Sequence, residues 1–219
     1  MLCVMTRRIV LFGGSFDPIH VGHTTVARAA CEHLEAERLL FIPARRSPHK
    51  HREPIADGAD RLAMIHLAIA DHPRLDVSDC ELRRAGPSYT LDTVRTFRRM
   101  YGDAVELCWL VGADAARDLH RWHRAAELLD ACRVCVMRRG GAPAPDWSPV
   151  ARALGRERAD ALAANVIETP LVDVSSSAIR ADLARGKDVS DRLAPAVWDY
   201  IRRRGLYGPQ NAAGPVVFD

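Results

Sequence analysis

The 219-residue sequence lacks any apolar run that approaches the ~20 residues of a membrane span. It also lacks the pattern of a secretory signal, because Arg7 and Arg8 follow the first apolar residues and only four apolar residues lie between Arg8 and Gly13. A strong excess of one charge is missing as well: 31 Lys and Arg face 28 Asp and Glu, a net charge of +3. These absences argue against a membrane protein and a dedicated nucleic-acid binder, and they favour a cytoplasmic protein.

The six cysteines lack the spacing of a metal site. Cys132 and Cys135 form a C-x-x-C pattern, but they lie in an apolar, β-like run where positions three apart point to opposite faces. No second pair completes a site. We therefore expect reduced core cysteines and no metal held by the protein.

Strand-like and helix-like segments alternate along the chain, which is typical of an α/β protein with a mostly parallel sheet. Strands are predicted near 8–13, 38–42, 74–78, 105–111, 132–137 and 165–168. Helices are predicted near 21–35, 58–70, 90–101, 114–129 (whole or broken), 148–163, 176–185 and 194–203. We expect a single domain built on a Rossmann-like, doubly wound open sheet.

The most informative segment is residues 13–23, Gly-Gly-Ser-Phe-Asp-Pro-Ile-His-Val-Gly-His. It joins a β-rich run to a helical pattern that begins near Val21. Glycines let the backbone approach a ligand there, and the free N–H groups of a helix start point at an anion. His20 and His23 lie three apart, so both imidazoles can share one face. The segment is neither a P-loop nor G-x-G-x-x-G, yet it predicts phosphate binding.

Residues 174–180, Val-Ser-Ser-Ser-Ala-Ile-Arg, form a second candidate phosphate element. They follow a β-like segment and open a helix, where serines are good N-caps and N–H groups are available to an anion. Arg180 can make paired, charge-assisted bonds to phosphate oxygens. Taken alone, the pattern is better explained by a Ser N-cap with a solvated Arg.

Residues 13–23 resemble the signature of the nucleotidylyltransferase superfamily, G-x-F-D-x-x-H-x-G-H, with every position filled. Residues 174–180 resemble its I-S-S-T-x-I-R motif, with Val174 and Ser177 as mild departures. The resemblance implies that His20, His23 and Arg180 are catalytic and hold the triphosphate of ATP. The ATP-binding residues that it implies are Gly13, Gly14, Ser15, Phe16, His20, His23, Ser176, Ser177 and Arg180.

Three further segments resemble bacterial nicotinate-nucleotide adenylyltransferases, with a match from about Arg8 to Tyr207. They are Pro-His-Lys at 48–50, Gly-Pro-Ser-Tyr-Thr-Leu-Asp-Thr at 86–93, and Gly-Ala-Asp with a later Trp within 112–129. Asp60 departs from the family, which usually has His before Arg61. The resemblance implies one nucleotidylyltransferase domain over residues 1–207 and a C-terminal tail at 208–219.

The same resemblance assigns Thr90 to the nicotinate carboxylate, Trp122 to the pyridine ring and the His123 backbone N–H to the carboxylate. Asp114 then contacts a nucleotide ribose, and Lys50 neutralises phosphate on a mobile loop. Structural alternatives stay open for three of these residues. Trp122 could be core, Thr90 a hydroxyl at a helix start, and Asp114 the N-cap of the next helix.

The stretch from Arg45 to Arg52 holds four formal positive charges. A charge run is most often a solvated surface. This one leaves the carboxyl end of a strand, the side where open α/β sheets bind ligands, so we favour an anion-facing lid.

The resemblance implies transfer of an adenylyl group from ATP to nicotinate mononucleotide, giving nicotinate adenine dinucleotide and pyrophosphate. Mg²⁺ would be carried by the ATP phosphates, since no carboxylate cluster suggests a protein-held metal. The alternatives are another acceptor (nicotinamide mononucleotide, phosphopantetheine or a phosphorylated alcohol), a non-catalytic nucleotide sensor, and a nucleic-acid binder. The sequence does not predict an oligomeric state.

Overall fold

The structure is a computed structural model that describes residues 7–48, 54–141 and 143–208. Lys50, and all of the predicted tail except Gly208, lie outside the described residues. The strands in the described part are β1 (Arg7–Gly14), β2 (Arg38–Pro43), β3 (Leu75–Val77), β4 (Val105–Gly112), β5 (Arg133–Arg139) and β6 (Val166–Thr169). All six predicted strands are present.

The helices are α1 (Val21–His33), α2 (Gly58–Ile69), α3 (Cys80–Arg83), α4 (Thr90–Tyr101), α5 (Ala113–Ala116), α6 (Ala125–Ala131), α7 (Ser148–Leu154), α8 (Arg156–Ala164), α9 (Ser176–Leu183) and α10 (Pro195–Arg204). Two predicted helices are divided. A 3₁₀ turn (Leu119–Arg121) separates α5 from α6, and Gly155 separates α7 from α8 with a φ of 95°. That φ favours glycine and ends the helix. No described helix has both the length and the apolar character needed to cross a membrane.

The six strands form one sheet in the order β3-β2-β1-β4-β5-β6. Every neighbouring pair is parallel. This is the doubly wound, Rossmann-like order, and the predicted fold class is confirmed. The strand order reverses between β1 and β4. Ligands of such sheets bind in the crevice beyond the carboxyl ends of the strands at that reversal.

Alternate strand residues pack on opposite faces of the sheet. Val10 and Phe12 of β1 belong to a core that includes residues of α1, α2, α9 and α10. Ile9 and Leu11 belong to the core on the other face, with residues of α4, α6, α7 and α8. Cys135 lies in the first core and Cys132 in the second, on opposite faces of the sheet, as the strand periodicity predicts. Both thiols are free.

Candidate active site

A cleft of about 940 Å³ opens at the carboxyl ends of β1 and β4, where the strand order reverses. Its walls come from the turn after β1, the start of α1, the start of α5 and the start of α9. The lining residues used below are Gly14, Ser15, Phe16, Asp17, His20, Gly22, His23, Asp114, Ser175, Ser176, Ser177 and Arg180. The two predicted phosphate elements therefore face the same space.

The first two glycines of the motif let the chain pass through crowded surroundings. A Cβ on Gly13 would lie 2.5 Å from the Trp109 ring on β4, and a Cβ on Gly14 would lie 2.8 Å from the Phe16 ring. Both distances are too short for any side chain. The turn after β1 thus packs tightly against its neighbours, with Gly14 at the cleft wall.

The two motif histidines lie together at the start of α1. Their rings stack with centroids 3.7 Å apart, and the rings of Phe16 and His23 form a T-shaped pair with centroids 5.1 Å apart. The backbone N–H of His20, the N-cap of the helix, donates to Nδ1 of His23 at 3.3 Å. Because Nδ1 accepts, a neutral His23 carries its proton on Nε2 and can donate from there.

His20 is 7% exposed, and its Nδ1 has no hydrogen-bond partner within the described protein. Burial lowers the pKa of His20 from 6.5 to about 4. A buried polar nitrogen without a partner, in the wall of a cleft, is typical of a position that a ligand completes. A Cβ on Gly22 would lie 3.1 Å from the His20 ring, so the glycine leaves room for the imidazole.

The helix α9 carries the second predicted phosphate element directly onto the first. Its N-cap Ser175 accepts a hydrogen bond from Ala178 N at 3.2 Å, and Ser176 Oγ donates to Pro18 O at 2.8 Å. Arg180 Nη1 donates to the carbonyl oxygen of Asp17 at 2.6 Å. These contacts fix the start of α9 and its arginine beside the motif, with both facing the cleft.

Asp17 organises this region, although the sequence analysis gave it no role. Its carboxylate accepts hydrogen bonds from Ile55 N at 2.8 Å, Ala56 N at 3.1 Å and the Tyr207 hydroxyl at 2.7 Å. The position of Asp17 within the signature motif was the one sequence feature that pointed to it. No sequence feature pointed to Tyr207, since its partner lies 190 positions away in the chain.

The buried Arg61 stabilises the turn after β1 through hydrogen bonds to backbone carbonyl groups. Its Nη1 donates to Ser15 O and Ala44 O, both at 2.8 Å, and its Nε donates to Ala56 O at 3.2 Å. Arg61 is 2% exposed, and burial lowers its pKa. The guanidinium thus satisfies carbonyl groups of three segments that meet behind the cleft.

Asp60, the residue that departs from the family pattern, is also buried. Its carboxylate accepts from the Tyr200 hydroxyl at 2.7 Å and from Arg204 Nε at 3.1 Å. It therefore joins α2 to α10. Asp60 is not among the described residues that line the cleft.

The predicted acceptor residues form a separate group. Thr90 begins α4, Trp122 follows the 3₁₀ turn, and the ring of Tyr89 stacks on His123 at 4.2 Å. The start of α4 and the segment at 122–123 are thus adjacent. Among the described residues, Thr90, Trp122 and His123 are outside the cleft lining.

This arrangement bears on the structural alternatives for Trp122, as part of the core, and for Asp114, as an N-cap. Trp122 is half-buried against the core below α4, but it has an extended backbone, so no continuous helix face joins it to Leu129. Asp114 is exposed in the cleft wall and is the second residue of α5, whose N-cap is Gly112. The N-cap interpretation of Asp114 is therefore wrong.

The described start of the basic stretch is attached to the segment before α4. Arg45 N donates to Ser88 Oγ at 3.1 Å, and Ser88 N donates to Arg46 O at 2.9 Å. Arg45 Nη1 also donates to Arg84 O at 3.3 Å. The base of the predicted lid is thus held close to Thr90, while residues 49–53 lie outside the described part.

No group of three or more His, Cys, Asp or Glu side chains suited to a metal ion occurs in the described ranges. Two of the described cleft-lining residues carry carboxylates, Asp17 and Asp114. Asp17 is already engaged by three donors. This donor set does not fit a protein-held Mg²⁺, which needs several oxygen ligands in near-octahedral geometry.

Comparison with known proteins agrees with this geometry. The profile of the cytidylyltransferase-like family matches residues 11–182. Over 214 residues the chain is 42% identical to the "Probable nicotinate-nucleotide adenylyltransferase" of Laribacter hongkongensis, covering 94% of this chain and 96% of that protein. A relative of the same name from Neisseria meningitidis is 40% identical over 202 residues, covering 92% of this chain and 98% of that protein.

Among solved structures, the fold is similar to that of Plasmodium falciparum nicotinic acid mononucleotide adenylyltransferase complexed with NaAD. The TM-score is 0.71 at 19% identity, covering 92% of this chain and 97% of that chain. The sequence relatives determine the family, and the solved structure agrees in fold. This chain belongs to the cytidylyltransferase-like family and, within it, to the nicotinate-nucleotide adenylyltransferases.

Proposed function

We propose that this chain transfers the adenylyl group of ATP to nicotinate mononucleotide, giving nicotinate adenine dinucleotide and pyrophosphate, a step of NAD biosynthesis. The observation that carries the proposal is the pair of stacked histidines that shares one cleft with the start of α9. The relatives' shared name supports the choice of acceptor.

The reaction needs no covalent intermediate with the protein. A phosphate oxygen of the mononucleotide attacks the α-phosphorus of ATP in line, and the bond from that phosphorus to the bridging oxygen of pyrophosphate breaks. Negative charge develops on pyrophosphate as it leaves. His20, His23 and Arg180 are the catalytic residues in this proposal, because their N–H groups can stabilise that charge. The N–H groups at the starts of α1 and α9 add a fixed positive potential.

The proposed binding residues form one set for ATP and one set for the acceptor. Gly13, Gly14, Ser15, Phe16, His20, His23, Ser176, Ser177 and Arg180 bind ATP in this proposal. For the acceptor, Thr90 and the His123 N–H bind the carboxylate, and Trp122 packs on the pyridine ring. Asp114 contacts a ribose, and Lys50 meets phosphate. The catalytic domain is proposed to span residues 1–207.

Members of this family use a divalent metal together with ATP. We propose Mg²⁺, held by the phosphates and water, because the described cleft residues do not supply a suitable ligand set. We also propose a cytoplasmic location. The free thiols of Cys31, Cys80, Cys108, Cys132 and Cys135 support a reducing compartment.

Pyrophosphate release with ATP and a panel of acceptors tests the proposal. We expect turnover with nicotinate mononucleotide well above turnover with nicotinamide mononucleotide or phosphopantetheine. Preference for another acceptor would support adenylyl transfer but refute nicotinate mononucleotide as the acceptor. ATP binding without turnover of any acceptor would favour a nucleotide sensor.

A further inference from the structure

A tyrosine near the end of the described chain contacts the phosphate-binding motif near its beginning. The hydroxyl of Tyr207 donates a hydrogen bond to Oδ1 of Asp17 at 2.7 Å. Tyr207 is 3% exposed and Asp17 is 4% exposed, so water does not compete for this contact. Tyr207 also has a φ of 61°, a conformation that a residue with a side chain seldom adopts. The surrounding structure holds the tyrosine in this position at a cost in backbone strain.

The hydrogen-bonding capacity of the Asp17 carboxylate is largely used by neutral donors. Ile55 N binds Oδ2, while Ala56 N and the Tyr207 hydroxyl bind Oδ1. Burial, followed by the charge of Asp17, raises the pKa of Tyr207, so its hydroxyl stays a donor at working pH. The nearby Arg61 donates to backbone carbonyl groups instead.

Arg180 is the other cation close to this carboxylate. Its Nη1 lies 3.9 Å from Asp17 Oδ2, beyond hydrogen-bond distance, and donates instead to the Asp17 carbonyl oxygen at 2.6 Å. The Arg180 side chain is 25% exposed and lines the cleft. A shift of about 1 Å would bring it to the ~2.8 Å of a charge-assisted pair with Asp17 and turn its N–H groups away from the cleft.

We propose that Tyr207 is a positioning residue for ATP binding, because its hydrogen bond to Asp17 keeps that carboxylate from drawing Arg180 out of its cleft-facing position. The proposal rests on the proposed function, since it takes Arg180 to meet the triphosphate. It makes the C-terminal segment part of the nucleotide site. Without the hydroxyl, Oδ1 keeps Ala56 N as its donor, and the less compensated charge of the carboxylate attracts Arg180, which lies 3.9 Å from Oδ2, more strongly.

The test compares two tyrosine variants, each of which loses a hydroxyl that donates a 2.7 Å hydrogen bond to an aspartate. Tyr207→Phe should lower kcat/KM for ATP by about tenfold, which is the loss expected when one charge-assisted hydrogen bond of Arg180 is weakened. The KM for nicotinate mononucleotide should not change. The matched control is Tyr200→Phe, whose hydroxyl donates to Asp60 at 2.7 Å away from the described cleft lining. Its kinetic constants for both substrates should stay at wild-type values.

Urea unfolding of both variants separates stability from substrate binding. A purely structural Tyr207 would lower stability and leave kcat/KM for ATP unchanged, which would overturn the proposal. So would an equal fall in both variants. An inactive wild type would instead refute the proposed function.

A double-mutant cycle on ATP binding, measured by calorimetry, tests the route through Arg180. In an Arg180→Gln background, Tyr207→Phe should cause no further loss of ATP affinity, because the side chain that it displaces is gone. Independent, multiplying losses would contradict the proposed role. This measurement does not depend on turnover, so it remains decisive for variants of low activity.

Discussion

The imidazole rings of His20 and His23 stack with centroids 3.7 Å apart and planes inclined by 23°. Charging both rings at that separation would be unfavourable, because like charges disfavour each other. Burial already lowers the pKa of His20 to about 4, so this ring is neutral in the free protein near neutral pH. A bound polyphosphate would favour its protonation. The pair is therefore arranged to respond to an anion.

Replacing either histidine by Ala should impair catalysis much more than folding. Each ring is proposed to stabilise charge that develops on the leaving pyrophosphate, and removing one such donor costs on the order of 10²–10³-fold in kcat. His23→Ala should also lose about 1 kcal/mol of stability, since Nδ1 of His23 accepts the N-cap N–H of α1. Steady-state kinetics and urea unfolding measure the two effects.

The matched control for this comparison is His66→Ala, because His66 is exposed on α2. It should leave kcat and the free energy of unfolding near wild-type values. Activity within a few-fold of wild type in the His20 and His23 variants would remove them from the chemistry. A large loss of stability in His20→Ala would assign that residue a structural role instead.

The depressed pKa of His20 also predicts a pH dependence of stability. The unfolded chain takes up a proton at about pH 6.5 and the folded chain at about 4, so the unfolded state binds more protons between these values. The free energy of unfolding should therefore fall as the pH is lowered through that window, by at most about 3 kcal/mol from this group. Urea unfolding at pH 7 and pH 4.5 measures it.

His20→Asn should flatten that pH profile, because the group responsible is gone. Parallel profiles for the wild type and the His20→Asn variant would show that other groups cause the acid sensitivity.

Most of the fold could be predicted from local patterns. The strands are short apolar runs buried on both faces, and the helices show regular periodicity, so all six strands appear where expected. The break at Gly155 was missed because periodicity continues across it, whereas its φ of 95° is a backbone property. A break within 114–129 was allowed for, but its place at Leu119–Arg121 was not predicted, because Leu119, Trp122 and Leu129 pack in one core and have the spacing of one helix face.

The site was predictable only where its residues lie in contiguous motifs. His20, His23 and Arg180 are marked by their spacing next to strand ends. The role of Asp17 depends on Ile55, Ala56 and Tyr207, which come from distant segments and meet through tertiary packing. No local pattern encodes that meeting, so the support behind the motif was not predicted.

Gly22→Ala should lower activity without lowering the stability of the fold. Alanine within α1 favours the helix by up to about 1 kcal/mol over glycine, so stability should be kept or increased. The new Cβ, however, would lie 3.1 Å from the His20 ring and force it to shift. We expect kcat to fall at least about tenfold, as misplaced catalytic groups lose much of their effect. Full activity would show that the ring adapts without loss.

Acceptor selectivity gives the sharpest prediction. Nicotinate and nicotinamide mononucleotides differ in one substituent, a carboxylate or a carboxamide. A site built from donors, the Thr90 hydroxyl and the His123 N–H, serves both carboxylate oxygens. It meets the carboxamide NH₂ with a donor and leaves polar groups unpaired, at about 1–3 kcal/mol. We expect kcat/KM to favour the acid by at least about tenfold to a hundredfold.

Thr90→Val tests which group reads that substituent. It removes the hydroxyl at the start of α4 with little change in shape, so kcat/KM for the acid should fall while ATP affinity stays unchanged. The matched control is Thr96→Val on the same helix, whose hydroxyl donates to Asp92 O at 2.9 Å within α4. It should keep both the acid preference and the rate. Equal kcat/KM for the two mononucleotides in the wild type would refute acid selectivity. A Thr90 variant that behaves like the Thr96 variant would make Thr90 only a helix-start residue.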